Sequence, residues 1–274
     1  MSDSERVQIS ISNGVADVRM VRADKRNALD GAMFGALGRA GERLKTEPGL
    51  RAVVLSGEGS SFCAGLDFSS FQSMTGGDGG SNELAREGNP GAIQEGQITH
   101  LGQQVCWVWQ EVPVPVIAAV HGHALGGGIQ IALGADIRIV HPDTQMSVRE
   151  VHWGLVPDMT GTFTLSQLVR ADVAKDLVFT ARVFDGREAF ALGLATKLSD
   201  TPLDDALAMA NDIASRSPNA VRGAKALING LLHDRAAAQF AEERRVIGAL
   251  IGQPNQVEAV MANFAKRPAN YTDA

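Results

Sequence analysis

Two glycine-rich turns carry the first chemical signal in this chain. The run His121-Gly122-His123-Ala124-Leu125-Gly126-Gly127-Gly128-Ile129-Gln130 leads from an apolar stretch into a helical pattern. Three consecutive glycines at a helix start leave the first backbone N–H groups unobstructed, and the helix dipole adds partial positive charge there, so the place suits an oxyanion. The lysine and hydroxyl residue that complete a phosphate loop do not follow. His121 and His123 suggest a metal pair, but alternate strand residues face opposite ways and no third ligand is in sight, so no metal is expected. The second turn is Ser56-Gly57-Glu58-Gly59-Ser60-Ser61-Phe62-Cys63-Ala64-Gly65-Leu66-Asp67. Its GxG invites a dinucleotide reading, but Phe62 stands where the third glycine belongs. What remains is the small-residue corner Ala64-Gly65, which lets the Ala64 N–H approach a ligand.

Both turns need strands before them and helices around them. Val7 to Ser12 alternates, Asn13-Gly14 signals a hairpin turn, and Val15 to Val21 alternates again. Asp30 is placed to cap a helix through Met33, Leu37, Ala40 and Leu44, which Pro48-Gly49 ends. Arg51 to Ser56, Val114 to Val120 and Ile137 to Val140 read as buried strands, with a helix from Gly126 through Ala135 between the last two. Strands alternating with helices predict an α/β layout with crossover connections. After about Leu203 the signals are helical: Asp204 to Ser215, Pro218 to Leu232, Ala236 to Ile251 and Pro254 to Ala265. The division expected is a core over residues 1–202 and a helical subdomain over 203–274. The 26 residues from Gln72 to Gln97 hold seven glycines and little periodicity; a lid and a tolerated surface insertion are the two readings.

Composition excludes several classes. The formal charge of −6 repels nucleic acid and anionic membranes, so neither is an expected partner, and a polyanionic ligand must meet a local basic cluster. Cys63 and Cys106 make no disulfide framework, and the start Met-Ser-Asp-Ser-Glu has no basic or apolar leader, so a cytoplasmic protein is expected.

Together these residues resemble a known family. Asn27-Ala28-Leu29-Asp30, Phe62-Cys63-Ala64-Gly65-Leu66-Asp67, Gly122-His123-Ala124-Leu125-Gly126-Gly127-Gly128, and Glu150 followed by Gly154-Leu155-Val156-Pro157 match in order the blocks of the enoyl-CoA hydratase/isomerase (crotonase) family. Ser217-Pro218-Asn219-Ala220 with Lys225, and Glu258 with Phe264-Ala265-Lys266-Arg267, extend the likeness through the tail. The resemblance implies a superhelix of ββα units, a C-terminal helical subdomain that assembles trimers or dimers of trimers, and an acyl-CoA substrate that carries CoA itself, with no separate cofactor. It also implies an oxyanion hole from the Ala64 and Gly127 N–H groups, with Glu150 as the main acid/base group. Ala28, Gly65, Leu66, Asp67, Gly126 and Phe264 would line the CoA site. Lys25, Arg26 and Lys266 would meet its phosphates or adenine end; ordinary surface charge is the alternative for these cations.

Hydratases of the family hold a water between two glutamates, and Gln130 stands at the position of one of them. An amide cannot exchange a proton near neutral pH, so hydration loses one of two acid/base groups, each worth about 10²–10⁴ in rate. A double-bond shift needs a single carboxylate to take and return a proton, so isomerisation is the favoured chemistry. Hydration, thioester hydrolysis and CoA binding without turnover are the alternatives. Asp158 supplies a second acid, as in dienoyl-CoA isomerases of the family, or caps a helix from Thr160 to Leu168. Met74, Trp107, Trp109 and Trp153 are candidates for the acyl pocket wall or for plain core.

Overall fold

The computed structural model describes residues 6–68, 70, 91 and 97–272, so the Gly-rich stretch and Met74 lie outside the described residues, apart from positions 91 and 97. The chain opens as the expected hairpin of β1 (Val7–Ser12) and β2 (Val15–Met20). Asn13 and Gly14 both take positive φ in its turn, the geometry that matches strand twist across a two-residue loop. Helix α1 (Gly31–Lys45) follows, with the Asp30 carboxylate accepting from the Met33 N–H at 2.8 Å as its cap.

From β3 (Ala52–Gly57) onward the pairing is parallel. Helix α2 (Leu101–Glu111) leads to β4 (Val116–Val120) and at once to the short β5 (His123–Leu125), then α3 (Gly127–Gly134). The pattern repeats in β6 (Ile137–Val140) and the short β7 (Gln145–Ser147). With β8 (Lys197–Leu198) the long strands form one sheet in the order β1-β2-β3-β4-β6-β8, while β5 and β7 pair in a second. Single bridges between Leu29 and Leu66, Cys63 and Ala124, and Met146 and Phe184 extend that second ribbon. Each turn of chain thus gives a long strand, a short strand and a helix.

The apolar strand runs make sense because both sheet faces are covered. Val18, Met20, Val53, Leu55, Val116 and Ala118 face the main core with α1 to α3, whereas Val15, Ala52, Val54, Ile117 and Ala119 face α7 (Pro202–Ala214). Before it come α4 (Gly161–Leu168), α5 (Ala171–Thr180) and α6 (Gly186–Leu192). After it come α8 (Pro218–Gly230), α9 (His233–Leu250) and α10 (Pro254–Phe264). Proline begins α7, α8 and α10, where the missing N–H has no partner to lose. A division at 202–203 therefore falls in the first turn of α7, the helix that forms the sheet's second layer, and α8 to α10 lie beyond it. No helix among the described residues is long and apolar enough to cross a membrane.

Candidate active site

The two glycine turns meet. Cys63 donates to the His123 carbonyl (2.9 Å) and accepts from the Leu125 N–H (3.1 Å), stitching the corner after β3 to β5. Gly65 has φ of +90°, and a Cβ there would stand 2.5 Å from the Leu125 carbonyl oxygen, so only glycine permits this approach. Asn27, fully buried, fastens the preceding loop: its Nδ2 donates to the Glu58 and Ser61 carbonyls and its Oδ1 accepts from the Arg22 N–H.

One expectation needs correction. The Ala64 N–H donates to the Arg26 carbonyl at 2.9 Å, so it is already committed and is a poor oxyanion donor. In the same corner the Leu66 N–H has no acceptor among the described residues, although its neighbours do pair: Leu29 donates to the Gly65 carbonyl and Asp67 to the Leu29 carbonyl. Gly127, in the first turn of α3, is likewise without an acceptor for its N–H among the described residues. The usable pair is Leu66 with Gly127, in loops that touch through Gly65 and Gly126.

Glu150 opens a one-turn 3-10 helix (Glu150–Trp153) closed by Gly154 in the left-handed region. Gly126 sits against its carboxyl group, since a Cβ there would lie 3.3 Å from Oε1. Gln130, on α3, donates from Nε2 to Glu150 Oε1 at 2.6 Å. The amide orientation is set by chemistry, because Oε1 of Gln130 faces the Met159 N–H at 3.0 Å and only an oxygen can accept there. Oε2 of Glu150 is buried and has no hydrogen-bond partner among the described residues. Burial pushes the carboxyl up to about 7, opposed by backbone donors and by the Gln130 amide. Such a group takes and returns protons readily near neutral pH.

Asp158 lies nearby, and burial, then the like charges of Glu150 and Glu243, push it up to about 8; its side chain keeps 25% exposure, and water there works against the rise. It does not cap a helix. The N-cap of α4 is Thr160, which makes no side-chain cap of its own. His100 faces Asp158 with Nε2 4.0 Å from Oδ2, too far for a hydrogen bond. Burial lowers His100 to about 4, and its Nδ1 accepts from the Gln103 N–H, so the neutral ring carries its proton on Nε2.

Of the other residues expected at the site, Asp67 is tied to Arg22 at 2.6 Å and Ala28 is buried with its carbonyl on the same guanidinium, so both shape the loop. Lys25 and Arg26 are exposed on the turn before Asn27, and Lys266 is exposed just past α10. Phe264 packs edge-on against Phe68 and close to Trp153, at centroid distances of 6.0 and 6.3 Å. Leu66, Trp153 and Val156 pack against Leu155, Ile247 and Val260, so α9 and α10 of the same chain wall the site. Trp109 is core, its Nε1 bonded to the Val105 carbonyl, and Trp107 packs edge-on against Phe163 and Phe240.

The sequence pattern that describes the enoyl-CoA hydratase/isomerase family matches residues 10–274. The chain belongs to this family. It is 30% identical over 267 residues to the mitochondrial methylglutaconyl-CoA hydratase of Mus musculus, covering 95% of this chain and 80% of that one. It is 33% identical over 229 residues to the mitochondrial Delta(3,5)-Delta(2,4)-dienoyl-CoA isomerase of Rattus norvegicus, covering 81% and 68%. A solved enoyl-CoA hydratase/isomerase from Pseudoalteromonas atlantica superposes with a TM-score of 0.83 at 27% identity, over 98% of this chain and all of that one. The family resemblance and the crotonase-like α/β fold expected from the sequence both hold, and the chain is an enzyme of the hydratase/isomerase kind.

Sequence reasoning missed Leu66 as a donor, and it missed His100 and Glu243. Glu243 had a readable signal. Ala236, Phe240 and Ile247 are the buried face of α9, and Glu243 falls at the same helical spacing, a carboxylate on an apolar stripe.

Proposed function

We propose that this chain shifts a carbon–carbon double bond in an unsaturated acyl-CoA thioester. Glu150 removes a proton from the carbon beside the thioester of a 3-enoyl-CoA. The electron pair moves onto the thioester oxygen as a dienolate, which the Leu66 and Gly127 N–H groups hold. The same carboxyl group then returns the proton two carbons further on, leaving the conjugated 2-enoyl-CoA. Each oxyanion donor is worth about 10²–10³ in rate. Lys25, Arg26 and Lys266 are the cations available to the CoA phosphates, with Phe264 at the adenine end, and CoA enters as part of the substrate.

The observation that carries this reading is the asymmetry of the Glu150 carboxyl group. Gln130 grips one oxygen directly at 2.6 Å, closer than two groups bridged by a water can lie, and the other oxygen is buried without a partner among the described residues. That arrangement suits one mobile proton more than a water held between two acids. Hydration is the second reading, favoured by the likeness to methylglutaconyl-CoA hydratase. Trimer formation is supported by the exposed Leu227, Ile228 and Leu231 on and just after α8.

A substrate panel separates the readings. With 2-enoyl-, 3-enoyl- and 3,5-dienoyl-CoA, the expected result is a change in conjugation with little loss of the double bond. Rapid hydration of 2-enoyl-CoA without isomerisation would replace the first reading with the second. Thiol release alone would leave hydrolysis.

A further inference from the structure

We propose that Glu243 is a positioning residue for proton transfer: from α9 it caps α4, and so holds the turn that sets Gln130 against Glu150. The inference rests on Glu150 being the proton carrier. It adds a residue far along the chain and on a different helix.

Helix α4 begins poorly by itself. Thr160, its N-cap, has φ of +67°, a left-handed backbone that is unfavourable for a β-branched residue. Its own side chain caps nothing. Glu243 supplies what is missing: Oε2 accepts from the Thr160 N–H (3.0 Å), and Oε1 accepts from the Thr162 N–H (3.2 Å) and hydroxyl (2.5 Å). Gln103 donates to Oε2 at 3.0 Å, and Arg244 holds Gln103 in turn at 2.8 Å. Burial raises the Glu243 carboxyl above its ordinary range, and the hydrogen bonds from Thr162, Gln103 and Thr160 oppose that rise by favouring the anion; a carboxylate at a helix N-terminus that accepts four hydrogen bonds is a strong anchor.

The anchored residues flank those that hold the amide. Met159, just before Thr160, gives its N–H to Gln130 Oε1. Gly161, between the two anchored threonines, lies so near that a Cβ on it would stand 2.3 Å from the same oxygen. Gln130 is thus clamped between this turn and Glu150, and a shift of a few tenths of an ångström in the turn moves the 2.6 Å contact to the catalytic carboxylate. The titratable groups around Glu243 are Asp158 on the same turn, Cys106 on α2 and Arg244 beside it on α9. Glu243 raises the proton affinity of Asp158 and Cys106 through its charge.

The test is Glu243→Gln beside Thr162→Val, which removes the hydroxyl that donates to Glu243 and accepts from Gln239 but keeps the backbone donors, and Glu150→Gln, all assayed with 3-enoyl-CoA across pH. An amide at 243 can accept at one end only, so half the cap faces donor against donor. For Glu243→Gln the expected result is kcat lower by roughly tenfold to a hundredfold with KM within about twofold. The acid limb of the kcat profile should move to higher pH, because Glu150 loses a donor that favours its anion. Thr162→Val should shift both in the same direction by less. Reduced thermal stability with wild-type kcat and an unmoved acid limb in both variants would overturn the positioning role. If Glu243→Gln does not fold, Thr162→Val decides by the same readouts. Full activity in Glu150→Gln would instead sink the proton-carrier assignment, which keeps the two failures apart.

Discussion

Two buried charged groups lie at opposite ends of the α2–α3 layer, and they are treated differently. Lys225 on α8 spends every donor it has: its Nζ donates to the Trp109 and Val114 carbonyls and to Asp136, at 2.8, 3.0 and 2.7 Å. Asp136 accepts from the Val116 N–H as well, which welds α8 to the start of β4. Burial lowers Lys225 and raises Asp136, and their mutual attraction opposes both. Glu150 has one oxygen satisfied and one without a partner among the described residues. A buried charge matched in every direction holds structure in place. A buried charge left one partner short binds a proton more readily, and that is useful only where a substrate brings protons to exchange.

This contrast can be broken most sharply at Glu150. Glu150→Gln keeps the shape but cannot carry a proton, so the isomerisation rate should fall by about 10²–10⁴ while acyl-CoA still binds. Steady-state rates and a binding isotherm on the same preparation check this, and near-normal turnover would break it. At the other pole, Lys225→Met should leave the kcat of the folded protein intact and lower unfolding free energy by about 3–5 kcal/mol, because Asp136 is left buried and unpaired. Urea unfolding reads that loss, and a change below 1 kcal/mol would mean the pair is ornamental.

The smallest effect is a pH slope. Between the ordinary glutamate value of 4.5 and about 7, folded Glu150 keeps a proton that the unfolded chain has lost. Its contribution to stability is therefore complete below about 4.5 and is lost as pH rises through 7, on the order of 1–3 kcal/mol. Asp158, raised to about 8, acts with the same sign. Relative to the wild type, Glu150→Gln should therefore be more stable at pH 8 than at pH 5, and the slope left over is that of Asp158, reduced because the Glu150 charge no longer raises it. Urea midpoints at the two pH values test it, and an unchanged slope would show that Glu150 ionises freely.

Much of the site could be read before any fold was seen, and the parts that could not share a cause. The hairpin at Asn13-Gly14, the cap at Asp30, the proline-started helices and the glycine opening of α3 are local. Each depends on the steric or hydrogen-bonding habit of a few neighbouring residues. Glu150 was legible because it stands at a fixed distance from Gly154-Leu155-Val156-Pro157. Leu66 was not, because a free N–H is defined by what every other carbonyl is doing: Ala64 is spent on Arg26, and nothing in the loop's own residues shows that. Asp158 looked like a cap for α4 for the same reason. The true cap, Glu243, comes from another helix that only packing brings near. Sequence alone settled which groups could donate, accept or titrate, since those properties belong to the residue. Tertiary structure decided which remain uncommitted, because satisfaction of a buried polar group is a property of its surroundings.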